Sequence, residues 1–382
     1  MNRFVLNETS YHGAGAINAI PDEVKGRGFK KVMVASDPDL VKFGVSKKVT
    51  DVLENAGIEY ELFTDIKPNP TIQNVQAGVA KFKEIGADCI VAIGGGSSMD
   101  TAKAVGIIIA NPEFADVRSL EGVAPTKNKC VPIIAVPTTA GTAAEVTINY
   151  VITDAEKNRK MVCVDPHDIP VVAVVDPEMM ASMPKGLTAA TGMDALTHAV
   201  EAYLSRFYPT RQTDRLAEEA VVTIFRTLEH ACAHGDDVDA RQALLTASYQ
   251  AGAAFTRASV GNVHAIAHTL GGLYGVGHGL ANAVLLPVVL RDYGPAAYRK
   301  LARLAELVGL PGGTDGEKAD AFIDAILAMN ARLGIPTGFS CIREEDLPQM
   351  AAWAAKEANP TYPVPVIYDR GRFIRVIRQV MQ

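Results

Sequence analysis

The stretch "CIVAIGGGSSMDTAKAVG", residues 89–106, decides the fold. Its first half is a short apolar run rich in β-branched residues and reads as a buried strand; the second half reads as a helix. Between them, Gly94, Gly95 and Gly96 let the backbone turn tightly and approach a ligand with no Cβ in the way. Ser97 is expected to cap the helix, with Asp100 three residues on in a capping-box-like arrangement. Free N–H groups at a helix N-terminus attract anions, so the turn is read as a pyrophosphate cradle. The match to standard signatures is incomplete: a G-x-G-x-x-G fingerprint would need glycine where Met99 stands, and no Walker A loop is present.

The same alternation runs through the first 180 or so residues. The strand-like runs are "KVMVASD" (31–37), "VPIIAVPTT" (131–139) and "VVAVVDP" (171–177). The segments "FGVSKKVTDVLENAG" (43–57) and "IQNVQAGVAKFKEIG" (72–86) have helical spacing and end in glycine, a natural helix stop. Strands alternating with helices predict a parallel sheet with right-handed crossovers. Residues 146–164 read as a hairpin-like insertion. Asp37, at the end of one strand, reads equally as an acceptor for a ribose 2′-OH that would repel a 2′-phosphate or as a solvated turn residue before Pro38. The loop "PTTAGTAAE" (137–145) offers Thr138, Thr139 and Thr142 around Gly141, either as phosphate or ribose contacts or as caps of the next helix.

After "MPKGLTAATG" (183–192) the texture changes to alanine-rich helical spacing. The expected organisation is an α/β domain over 1–182 and an all-helical domain over 183–382. The net charge of −6, with no basic run, argues against nucleic acid or an anionic membrane as partner. No apolar stretch is long enough to span a bilayer. The start "MNRFVLNETSYHG" lacks a signal-like apolar core and is read as unprocessed. Five scattered cysteines with no C-x-x-C pair suit a reducing compartment, the cytoplasm, and no thiolate metal site.

The chemistry sits in "GNVHAIAHTLGGLYGVGHG" (261–279). His264 and His268 share a helix face, and His278 follows after a glycine-rich turn able to bring it back. Upstream, "GMDALTHAVEA" (192–202) puts Asp194 and His198 on one face of another helix. Two helices offering imidazole and carboxylate into the space between them can build a site for Fe²⁺, Zn²⁺, Mn²⁺ or Co²⁺. Spacing alone favours His268 as a ligand. His230 and His234 have the same spacing but sit at a helix end beside acidic residues, and read as surface.

The motifs "GGGSSMDTAKA", "PTTAGTAAEVT", "GMDALTHAVEAY" and "GNVHAIAHTLGGLYGVGHGLANA" resemble, in order and separation, those of the iron-dependent, group III alcohol dehydrogenases. The resemblance covers nearly the whole chain. It implies the dehydroquinate synthase-like architecture of an α/β unit followed by a helical unit. It implies NAD(H)-linked interconversion of small primary alcohols or diols and aldehydes, and a divalent metal, Fe²⁺ before Zn²⁺. It puts the metal on Asp194, His198, His264 and His278, and leaves His268 as the catalytic candidate beside the nicotinamide. To the cofactor it assigns Asp37, Asn69, Gly95, Gly96, Ser97, Asp100, Thr138, Thr139, Thr142 and Lys160. The expected partners are a small alcohol or aldehyde and further copies of the chain, as a homodimer or larger homo-oligomer. Two rivals use the same fold: a glycerol dehydrogenase-like zinc enzyme, and a dehydroquinate synthase-type lyase using NAD transiently. The chain departs from the family pattern at Gly277, where many members have proline, and its "EANPTYPVPVIYD" (357–369) resembles less-defined alcohol dehydrogenases of the family, which leaves the substrate open.

Overall fold

The computed structural model describes residues 3–382, and these divide into two compact units, Arg3–Met183 and Pro184–Gln382. The first unit carries a six-stranded sheet in the order β1-β8-β5-β4-β2-β3. Its strands are β1 (Thr9–His12), β2 (Lys31–Ser36), β3 (Glu59–Phe63), β4 (Cys89–Gly94), β5 (Ile133–Pro137) and β8 (Val172–Val175). Every neighbouring pair is parallel. The four strands read from sequence are the central ones. The two edges, β1 and β3, escape that reading because polar residues interrupt both, "TSYH" and "EYELF", and neither offers an apolar run.

Alternate side chains of the sheet feed two cores, as a sheet covered on both faces requires. Val32, Val34, Val91 and Ile93 face the helices Ile20–Gly26 and Val45–Asn55. Met33, Ala35, Ile90 and Ala92 face the helices Ile72–Ile85 and Gly96–Ala110. The predicted hairpin is the antiparallel pair β6 (Asn149–Asp154) and β7 (Arg159–Val164), whose Tyr150, Ile152, Met161 and Cys163 join this second core.

Topology fixes where a ligand fits. From β2 the chain steps outward to β3, then crosses to the other side of β2 to lay down β4, β5 and β8. The direction of winding therefore reverses between β2 and β4. Crevices beyond the carboxyl ends of strands at such a reversal are the usual ligand positions of open α/β sheets. Asp37 follows β2, the glycine turn follows β4 and the threonine loop follows β5.

The second unit is a series of α-helices from Lys185–Leu204 to Arg370–Arg378, with short 3₁₀ turns between some of them. Among the described residues no helix is long and apolar enough to cross a membrane.

At Gly94 the turn demands glycine. Its φ is +149°, and a Cβ there would lie 2.3 Å from Ser98 Oγ and 2.7 Å from Ser98 Cβ. Gly94→Ala is expected to destabilise the first unit by about 1–3 kcal/mol, from backbone strain and displacement of the helix start. A urea unfolding midpoint equal to wild type would show that the turn has slack.

Candidate metal centre and cofactor loops

The helix Lys185–Leu204 carries Asp194, His198 and Glu201 at spacings of four and three, so all three share one face. The helix Asn262–Tyr274 carries His264 and His268, and His278 opens the helix His278–Tyr293. One potential ligand atom each from Asp194, His198, His264 and His278 lies within 4.8 Å of the others. His268 is outside that group, although spacing alone favoured it. It stacks on His278 instead, with ring centroids 5.2 Å apart and planes 15° from parallel. The reason is the turn after Tyr274: Gly275 adopts φ +67°, reversing the chain so that His278 returns to the face of His264.

Packing holds each ring. His198 lies between Phe255 and His264, at centroid distances of 4.4 and 4.5 Å. Glu201, which the sequence reading missed, accepts from His264 Nδ1 at 2.6 Å and from the backbone N–H groups of Gly261 and Val263, each at 2.8 Å. No side chain of the helix Asn262–Tyr274 caps its own start; this buried carboxylate does so from a neighbouring helix, where the helix dipole favours negative charge. The same carboxylate fixes the hydrogen of His264 on Nδ1 and turns Nε2 toward the cluster. Burial alone would lower the His264 pKa, but Glu201, with Asp194 and Glu357, outweighs it and raises the value.

The donors suit a divalent cation. Asn282 Nδ2 donates to Asp194 Oδ1 at 2.6 Å and lies 3.1 Å from His264 Nε2 and 3.2 Å from His278 Nε2. An amide nitrogen has two hydrogens and cannot serve three acceptors. The Asn282 Oδ1 is itself buried without a hydrogen-bond partner. One carboxylate and three imidazoles converging on a point match a borderline cation such as Fe²⁺ or Zn²⁺. His230 and His234 also stack, but the His230 side chain is 50% exposed and pairs with Asp237 at the surface, as its position at a helix end implied.

The glycine turn and the threonine loop of the first unit, the candidate cofactor loops, come together at the sheet's carboxyl edge. Thr138 N donates to Gly94 O at 3.0 Å, and Thr139 and Thr142 cover Gly95 and Gly96 so closely that a Cβ on either glycine would sit 3.0–3.1 Å from them. The helix begins at Gly96 with Gly95 as N-cap and no side-chain cap. Ser97 is therefore inside the first turn, and the expected capping box does not form. The helix starts earlier than the capping pattern predicts, with Gly95 in the cap position, and Asp100 bonds elsewhere: its Oδ2 accepts from Val151 N at 3.0 Å, tying the helix to the hairpin. Loss of solvent pushes the Asp100 carboxyl up to about 6, against the pull of Lys103, the Val151 N–H and Lys160. Asp37 caps the helix Pro38–Lys42 through Oδ1, which accepts from Leu40 N at 2.9 Å. Asn69 adopts φ +57°, and the next residue's carbonyl accepts from Thr153 N, directly opposite Lys160 on β7. Asn69 and Lys160 thus flank one strand of the hairpin.

A reversal crevice in an α/β unit and a cage of hard and borderline donors in a helical unit are the two parts a metal-assisted dehydrogenase requires. The family profile for iron-containing alcohol dehydrogenases matches residues 7–177, and that for the C-terminal part of the Fe-containing alcohol dehydrogenase family matches residues 188–379. The chain is 49% identical over 355 residues to lactaldehyde reductase of Escherichia coli strain K12, covering 92% of each. It is 39% identical to an NAD-dependent methanol dehydrogenase of Bacillus methanolicus, over 98% of this chain and 99% of that one. Its fold superposes on a crystal structure of 1,3-propanediol oxidoreductase with a TM-score of 0.95, at 39% identity and full coverage of both chains. The protein belongs to the iron-containing alcohol dehydrogenase family.

The cage depends on one close approach. A Cβ at Gly279 would lie 2.4 Å from Ala190 O and 3.3 Å from Asp194 Cβ, so the helix bearing His278 could not stay against the helix bearing Asp194. Gly279→Ala is expected to weaken metal binding by about 10–100-fold, the scale of disturbed ligand support. His230→Ala should hold metal like wild type. Full metal occupancy in Gly279→Ala at limiting metal would contradict the geometry.

Proposed function

We propose that the chain catalyses reversible hydride transfer between NAD(H) and a small primary alcohol, diol or aldehyde, with lactaldehyde and 1,2-propanediol as the first pair to test. The observation that carries this reading is the convergence of one carboxylate and three imidazoles in a chain of this family. Asp194, His198, His264 and His278 would hold the divalent metal, Fe²⁺ before Zn²⁺. When bound, such a cation supplies Lewis acidity that stabilises negative charge on the alcohol or aldehyde oxygen.

The chain's own residues do the rest. Backbone N–H groups at Gly95, Gly96 and Ser97 open a helix that has no side-chain cap and suit a pyrophosphate. Thr138, Thr139 and Thr142 supply hydroxyls beside them, and Asp100 and Lys160 hold the hairpin side of the loop. Asn69 completes the cofactor set. Asp37 spends one oxygen on its helix cap and keeps the other for a ribose hydroxyl. His268 moves a proton at Nε2, its Nδ1 being bonded to Glu357 at 2.7 Å. Glycerol dehydrogenase-like and lyase activities are not favoured: the relatives compared above act, by their names, on lactaldehyde, methanol and 1,3-propanediol. A cytoplasmic, homo-oligomeric enzyme is part of the proposal. The free cysteines, among them buried Cys89 and Cys163, suit a reducing compartment, and sizing by light scattering reads the assembly.

The ligand set and the proton role separate in two variants. His278→Ala should shed metal. His268→Ala should keep metal and still bind NADH, yet lose kcat by roughly 10²–10⁴-fold. Metal analysis giving the reverse pattern would make His268 the ligand. Cofactor choice is independent of both: wild type should prefer NADH, and Asp37→Gly should raise kcat/KM for NADPH by removing a repulsive carboxylate. Glycine is tolerated at an N-cap, so this substitution leaves the short helix in place. A wild-type preference for NADPH would remove Asp37 from the ribose.

A further inference from the structure

His268 is not alone. Glu357, in the last turn of the helix Leu347–Ala358, accepts from His268 Nδ1 at 2.7 Å across 89 residues of sequence. The same oxygen, Oε1, accepts from the Tyr362 hydroxyl at 2.8 Å. Tyr362 is in turn fixed by its backbone, whose N–H donates to Ala358 O at 2.7 Å. Both rings are buried, His268 at 7% and Tyr362 at 8% exposure, so this is not a pair of solvated surface side chains. His268 is therefore pinned twice: edge-on by a carboxylate, and face-on by the stack against His278.

This geometry has a chemical consequence. A ring nitrogen facing a carboxylate oxygen at this distance carries the hydrogen, so Nδ1 is the N–H and Nε2 is the atom left for exchange with a substrate. Without the acceptor, the neutral ring can adopt either tautomer, and the wrong one presents an N–H where alcohol oxidation, which releases a proton, requires a lone pair.

We propose that Glu357 is a positioning residue: it fixes the orientation and tautomer of His268, and Tyr362 fixes Glu357. This rests on the proton role given to His268 above. Glu357 opens the stretch "EANPTYPVPVIYD", and Tyr362 lies within it.

The experiment is a double-mutant cycle on the metal-loaded enzyme, with kcat and KM for alcohol oxidation, NADH affinity and metal content measured for each protein. Glu357→Ala is expected to lower kcat by about 10–100-fold, with KM, NADH affinity and metal content near wild type. Introduced into His268→Ala, it should lower kcat no further, because the two residues act as one unit. Tyr362→Phe should give a smaller loss in the same direction. An equal loss from Glu357→Ala with and without His268, or loss of metal, would overturn the proposal. Side-chain ¹⁵N spectra of histidine-labelled, zinc-loaded enzyme give a readout free of turnover, with His268→Ala assigning the signal. The Nδ1–H tautomer should hold in wild type and be lost in Glu357→Ala; the Nε2–H tautomer in wild type would refute the arrangement. If His268→Ala proves fully active while the tautomer is as stated, it is the proton role that fails.

Discussion

Four ligand-type atoms, one carboxylate oxygen and three imidazole nitrogens, are held within 4.8 Å of one another in the interior of a helical unit. Burying such groups without compensation is unfavourable, and the surrounding structure is organised to make it tolerable. Glu201 carries much of that organisation. One buried carboxylate satisfies two backbone N–H groups at a helix start and also turns His264 toward the cluster. Removing it would leave three donors without an acceptor, so ligand geometry and helix packing are coupled through a single side chain. Gly279 imposes the matching steric condition, since only a residue without a side chain lets the helix of His278 lie against Ala190 and Asp194.

Small residues impose the corresponding condition in the α/β unit. The glycine turn and the threonine loop end neighbouring strands and pack directly on each other, leaving the N-terminus of the helix Gly96–Ala110 without a side-chain cap. An uncapped helix start retains N–H groups for an outside acceptor, whereas a capped one would have spent some of them. The loss of the expected Ser97 cap therefore strengthens the case for an anion at this position. Asp100, freed from capping, instead holds the hairpin that carries Lys160.

The sequence made the central strands legible because each is a continuous apolar run, and Asp194, His198 and His264 legible because helical spacing puts them on predictable faces. The edge strands lacked such a run. The choice between His268 and His278 depended on a ten-residue connection whose path turns on the left-handed conformation of Gly275, which spacing cannot supply. The second carboxylates were hidden for a different reason. Glu201 lies 63 residues from His264 and Glu357 lies 89 from His268, and neither separation has a periodicity to read. Asn282 is nearer, four residues after His278, yet a neutral amide in an apolar helix gives no signal until its neighbours are known. For Glu201 one clue was present: it follows His198 by three positions and so shares the ligand face.

The most direct measurement is anomalous diffraction at the iron absorption edge from crystals grown with Fe²⁺. A single anomalous peak is expected at bonding distance from the Asp194 carboxylate and from His198, His264 and His278, with His268 stacked beside the ion and unbound. A peak bonded to His268 in place of His278, or one found only at the surface pair His230 and His234, would contradict the assignment of the metal centre.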